Sequence, residues 1–211
     1  MMAPSTCPST LGHAELPSRP HEAHLMVMPA TTRWTADMVR ALPDDGKRYE
    51  VIDGELFVTP SPVLLHQRAA FALGMLLSGY VKAHAVGDVL LAPADVLSAK
   101  HVMVQPDVFV VPLVEGRKPV TWEETARPLP VVEILSPSTA RADRHVKRRL
   151  YQRERVPEYW IVDVDGRLIE RWRPEDERPE ILAEQLEWRP EPANPPLIID
   201  LPAYFLDVTG V

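Results

Sequence analysis

The stretch VVEILSPSTARADRHVKRRLY, residues 131–151, sets one acid, Glu133, inside a run of Val, Ile and Leu. Strand alternation puts Val131, Glu133 and Leu135 on one face and Val132 and Ile134 on the other. An ionised carboxylate in so apolar a segment must be protonated, paired with a cation or bound to a metal. A second acid has the same character. In MVQPDVFVV, Asp107 follows Pro106 and precedes four apolar residues, 26 positions before Glu133. Two such acids converge if their strands are neighbours, and paired carboxylates facing one small volume suit Mg²⁺ or Mn²⁺.

The segment after Glu133 is basic. Seven Lys or Arg fall between Arg141 and Arg155 against two acids, in a chain whose net charge is −7. Residues 140–155 have helical propensity, and Asp143, Lys147 and Tyr151 share a face at i, i+4 and i+8. Lys147 sits beside the apolar side marked by Val146 and Leu150, so its stem can lie on the core while the ammonium reaches the strand acids. Such a lysine stabilises a metal-bound hydroxide and the charge developing on a phosphate. Ser136, Ser138 and Thr139 surround Pro137 just ahead of this helix. They can cap it, and a scissile phosphate can lie at its start.

Around this centre the chain reads as one domain. Its 211 residues and 45% apolar composition suffice for a proper core. Residues 1–30 are rich in Pro, Ser, Thr and His and read as a flexible tail holding Cys7, His13, His21 and His24. They lack the basic start and apolar run of a secretory signal, which predicts a cytoplasmic protein. Its acidic balance argues against coating nucleic acid by bulk charge. No apolar run reaches the ~20 residues that span a bilayer. No GxGxxG, P-loop, CxxC pair or HExxH motif occurs.

In order, Thr35 caps a short helix, and YEVIDGELFVTP forms a hairpin about Asp53-Gly54. Residues 64–84 make a long, mainly buried helix, and 87–111 two or three strands. A second hairpin turns about Asp165-Gly166. A Pro-rich acidic extension, 175–211, closes on LIIDLPAYF as an edge strand, and the nuclease-like core spans about 31–174. The order predicts an α/β fold, a mixed β-sheet flanked by helices with an additional N-terminal hairpin.

RYEVIDGEL, SPVLLHQR, QPDVFVV, VVEILSPST, DRHVKRRLY and VPEYWIVD, in this order, resemble the PD-(D/E)XK nuclease superfamily. Within it they are similar to the bacterial family of putative restriction endonucleases. The resemblance implies a restriction-endonuclease-like core in which Asp107 and Glu133 bind a divalent metal. The superfamily's usual lysine, two positions after the glutamate, is replaced by Leu135, and Lys147 stands where the related family carries it on the following helix. Glu50 and Glu55 are candidates for a further acid near the metal, one of them inward on an alternating strand. His66 is a candidate donor or accessory base, and Tyr151 a support for Lys147. The expected function is Mg²⁺-dependent hydrolysis of DNA phosphodiester bonds by a homodimer. The alternatives are a catalytically silent nucleic-acid or protein binding module, and a structural subunit assembling through the hairpin EYWIVDVDGRLIERW.

Overall fold

A computed structural model of the chain describes residues 33–211; the tail, with Cys7, His13, His21 and His24, lies outside the described residues. Its centre is a six-stranded mixed sheet in the order β10-β9-β8-β7-β6-β3. The strands are β3 (Gly87–Leu91), β6 (Val108–Pro112), β7 (Pro130–Ile134), β8 (Glu158–Asp163), β9 (Leu168–Trp172) and β10 (Glu180–Leu182). Only β7 and β8 pair in parallel, and the crossover between them carries the basic helix α3 (Arg148–Arg153).

Alternation along the strands divides the core into two layers. Val108, Val110, Val132, Ile134, Trp160 and Val162 face α2 (Leu64–Ala83) and α4 (Leu201–Thr209). Phe109, Val111, Val131, Tyr159 and Ile161 face the other way, against Leu150 and Tyr151 of α3 and against Ile52 and Val104. Ile52 and Val104 belong to a second sheet, β2-β1-β5-β4. It consists of β1 (Arg48–Ile52), β2 (Glu55–Thr59), β4 (Val96–Ala99) and β5 (Val102–Val104), with α1 (Ala36–Arg40) on its outer face. The N-terminal hairpin is therefore half of a four-stranded sheet, and residues 87–111 make four strands rather than two or three.

Local signals account for several elements. Thr35 Oγ1 accepts from Met38 N at 3.2 Å and starts α1. Asp53 and Gly54 both have positive φ, 54° and 86°, the backbone that a two-residue hairpin turn requires. The end of the chain is different from the expected edge strand. β12 (Leu197–Asp200) pairs with β11 (Gln185–Trp188), and then LPAYF turns into α4. Asp200 Oδ1 caps Ala203 N at 2.8 Å and Pro202 sits in the first turn, where its missing N–H costs nothing.

Two further expectations are corrected. The helix α2 is not mainly buried: the sheet covers one side, and Phe71, Met75 and Leu76 are 62%, 59% and 41% exposed on the other. The EYWIVDVDGRLIERW hairpin, β8–β9, is in turn no free surface. Tyr159, Trp160, Ile161, Val162, Ile169 and Trp172 are all buried in the middle of the six-stranded sheet.

Candidate active site

The two strand acids meet where β6 and β7 begin and end. These strands pair antiparallel with Val108 opposite Val132, so one step further along the register Asp107 lies across from Glu133. Glu50 arrives from β1, two residues before Ile52 on the face that packs against the same layer. Glu50, Asp107 and Glu133 are all at least 96% buried.

Lys147 ties these strands together. Its Nζ lies 2.9 Å from Glu50 Oε2, 2.9 Å from Glu133 Oε1 and 3.7 Å from Asp143 Oδ1. It reaches them from a helix that is not α-helical at this point. Residues Ala142–Lys147 form a π-helical turn, in which Arg148 N donates to Asp143 O, five residues back. The Tyr159 hydroxyl donates to the same carbonyl at 3.1 Å. The wider turn brings both Asp143 and Lys147 into the interior, a use to which π-turns are often put at functional sites. Tyr151 Oη completes the group, donating to Glu133 Oε1 at 3.4 Å.

Asp107 has its own partners. Arg48 Nη1 donates to Oδ1 at 2.7 Å, while His66 Nε2 and Ile134 N donate to Oδ2 at 3.0 and 2.8 Å. Burial pushes this carboxyl upward, but the His66 hydrogen bond and the Arg48 charge outweigh it and hold the pKa at about 2. The other acids behave oppositely. Burial raises Glu133 well above the usual carboxylate range and Asp143 to about 6, with Lys147 opposing the rise in both. Lys147 itself remains an ammonium: burial lowers its pKa, yet Glu133, Glu50 and Asp143 together drive it well above the ordinary lysine value.

A cleft of about 290 Å³ opens over this cluster, lined by Arg48, His66, Asp107, Glu133, Ser136 and Lys147 among others. A buried acid cluster bridged by a helix-borne lysine thus lies beneath an open cleft. The Uma2 family model, described as "Putative restriction endonuclease", matches residues 36–202. The chain belongs to that family. It is also similar in fold to the crystal structure of a putative nuclease belonging to DUF820 from Anabaena variabilis ATCC 29413. That likeness has a TM-score of 0.63 at 21% identity, over 83% of this chain and 99% of the other. No curated protein sequence gave a significant match.

Around this cleft the predicted residues are distributed unevenly. Asp107, Glu133, Lys147, Glu50, His66 and Tyr151 come together, and Ser136 and Ser138 line the cleft with their hydroxyls 3.1 Å apart. Glu55 does not join them. It pairs with Ile52 in the β1–β2 register, so it shares a face with Ile52 and Glu50, contrary to the expectation that alternation separates the two acids. It stands at the turn end of the hairpin, past the edge of the core, and is exposed. Arg48, which was not named as a candidate, and Asp143, read on the Lys147 helix face but given no role, complete the cluster. Arg48 precedes Glu50 by two residues on one strand face, and Asp143 precedes Lys147 by four on one helix; those spacings were the available signals.

The donor set fits a hard divalent cation. Four carboxylates, Glu50, Asp107, Glu133 and Asp143, stand against two cations, Arg48 and Lys147. Both oxygens of Asp143 are buried without a hydrogen bond, and only the Lys147 ammonium, 3.7 Å from Oδ1, stands near them. Among the described residues no three Asp, Glu, His or Cys side chains are grouped so that they could hold a metal ion together. An ion here would rest on two carboxylates and fill its shell with water, as Mg²⁺ does.

Proposed function

We propose that this family member is a divalent-metal-dependent endonuclease that hydrolyses DNA phosphodiester bonds. The observation that carries this reading is Lys147 Nζ, 2.9 Å from both Glu50 and Glu133, beneath a cleft that Asp107 also lines. Asp107 and Glu133 are the carboxylates best placed to hold Mg²⁺ or Mn²⁺, since they are opposed across the β6–β7 ladder. When bound, such an ion makes water a nucleophile near neutral pH and takes up charge on the phosphate.

The chain's own residues do the rest. Arg48 and His66 hold the Asp107 carboxylate in its ionised form and fix its orientation. Lys147 keeps a permanent positive charge at the floor of the cleft, where an attacking oxygen and the equatorial phosphate oxygens need it. Tyr151 restrains the Glu133 oxygen that Lys147 uses. The Ser136 and Ser138 hydroxyls line the wall and can donate to phosphate oxygens. Cleavage of plasmid and linear DNA by the pure chain in Mg²⁺ or Mn²⁺ tests the reading. Asp107→Asn and Lys147→Ala, each checked for a native circular dichroism spectrum, should reduce the rate by about 100-fold or more. No cleavage, or cleavage that survives both substitutions, overturns it.

We also propose that the protein acts as a homodimer, the simplest way to cut two strands. The supporting feature is the groove between α2 and α4. Its exposed Phe71, Met75 and Leu76 face an edge carrying Ile198, and it also holds both Arg68 and Asp207. One surface offering an apolar stripe and both signs of charge can pair with a copy of itself about a two-fold axis.

A further inference from the structure

The cleft over Asp107 does not end at the metal-binding acids. A second cavity of about 610 Å³ shares Arg48, His66 and Asp107 with it. A third, of about 740 Å³, shares Arg40, Asp95 and Gln105 with the second. The three cavities adjoin through these shared residues. β6 runs beside them: Asp107, Phe109 and Val111 alternate on one face, so the third cavity begins about 7 Å from Asp107 along the strand. Hydrogen bonds join the two ends. Arg48 Nη1 donates to Gln105 O at 3.0 Å, and Gln105 Nε2 donates to Asp95 Oδ1 at 2.8 Å.

What the third cavity presents is unlike the acid cluster. Trp122, in a short 3₁₀ turn (Trp122–Glu124), is 49% exposed and lines the cavity with its ring 6.4 Å from that of Phe109, tilted by 35°. A half-exposed indole backed by a buried phenyl ring is an unpaired stacking surface. Beside it lie the exposed Arg127, which makes no ion pair among the described residues, the carboxylate of Glu123, and Asp95, whose oxygens accept from Arg40 Nε and Gln105 Nε2. With Arg40 and Arg127 balanced by Asp95 and Glu123, the cavity offers a phosphate no net attraction. It suits the edge of a base, whose exocyclic amino groups donate to carboxylates and whose ring nitrogens and carbonyls accept from arginine.

We propose that the cavity beside Trp122 binds one nucleobase of the strand whose phosphate lies over Asp107. The proposal rests on the nuclease reading above and adds to it a substrate class. A base can reach Trp122 only when it has left its stack, so the substrate is single-stranded or locally unpaired near the cut. Trp122 stacks on the base, and Arg127 with Glu123 contacts its edge.

The test is the affinity of the full-length chain for a short fluorescein-labelled single-stranded oligonucleotide, read by anisotropy. Ca²⁺ replaces Mg²⁺ so that binding is read apart from cutting. A set of oligonucleotides carries one abasic position moved stepwise along the strand. For the wild-type chain, one abasic position should weaken binding about tenfold. Trp122→Ala should weaken binding of the intact strand by a similar factor and lose its sensitivity to that position, and Trp122→Phe should keep most of both. Trp122 sits on the surface, so the fold does not depend on it. Strong binding with no abasic position whose effect depends on Trp122 overturns the base site and leaves the nuclease reading standing. Failure of the wild-type chain to bind any of the strands, together with absence of cleavage, overturns both.

Discussion

Burying Lys147 beside three carboxylates exchanges the solvation of an ammonium for Coulombic attraction, and removing it leaves the carboxylates to repel one another. Breaking a buried ion pair on one side typically costs about 3–5 kcal/mol. Lys147→Met should show a loss of that order in urea unfolding. The loss should be larger at pH 8 than at pH 5, because Glu133 and Asp143 can take up protons at the lower pH. Asp143 bears the opposite prediction. Its folded pKa of about 6 lies above the ordinary 3.8. Folding therefore favours the protonated acid: that contribution is full below 3.8 and is lost as the pH rises through about 6. Asp143→Asn should stabilise the metal-free chain at pH 7.5, by up to about 3 kcal/mol, and make no difference at pH 3.5, as thermal unfolding at the two pH values will show. Glu133 and Asp107 were legible as misplaced acids in apolar runs. Glu55 misled because a hairpin reverses the parity that a single strand would obey.

At the scale of the element, the π-helical turn Ala142–Lys147 decides where the lysine points. Its sequence, ADRHVK, carries ordinary helical propensity, and nothing in it specifies the extra residue in the turn. The turn is stabilised from outside, by the Tyr159 hydroxyl of β8 donating to Asp143 O, a carbonyl that already accepts from Arg148 N. Tyr159→Phe should cost about 1 kcal/mol in stability. If the bond aims Lys147, kcat for the proposed DNA cleavage should fall while KM stays unchanged, a split that steady-state kinetics will resolve. By contrast the Asp53-Gly54 hairpin and the Thr35 cap follow from local chemistry and were readable directly. The terminal helix α4 was readable too: Asp200 followed by Leu201 and Pro202 is a helix start, although the apolar run LII drew attention to a strand.

For the whole molecule, the layers are unequal in what they leave open. The six-stranded sheet is covered on one face by α2 and α4 and on the other by α3 and the smaller sheet, so its hairpin β8–β9 is sealed. The outer face of α2 is not. If the proposed homodimer forms through this face, Met75→Glu should leave a monomer where the wild-type chain is a dimer, with native mass measurement or light scattering as the check; a dimer that persists would remove this face from consideration. Among the described residues no helix is long and apolar enough to cross a membrane. The sequence by itself determined the alternating strands, the capped helices, the two buried acids and the helix that carries Lys147, because each follows from periodicity or from the cost of a charge in an apolar run. Only the tertiary structure decided that Arg48 and Asp143 join the cluster, that Glu55 does not, and that Lys147 reaches two strands at once. Those outcomes depend on register across β1–β2 and β6–β7 and on a turn widened by a neighbouring strand, and contacts between segments distant in the chain have no local signature to read.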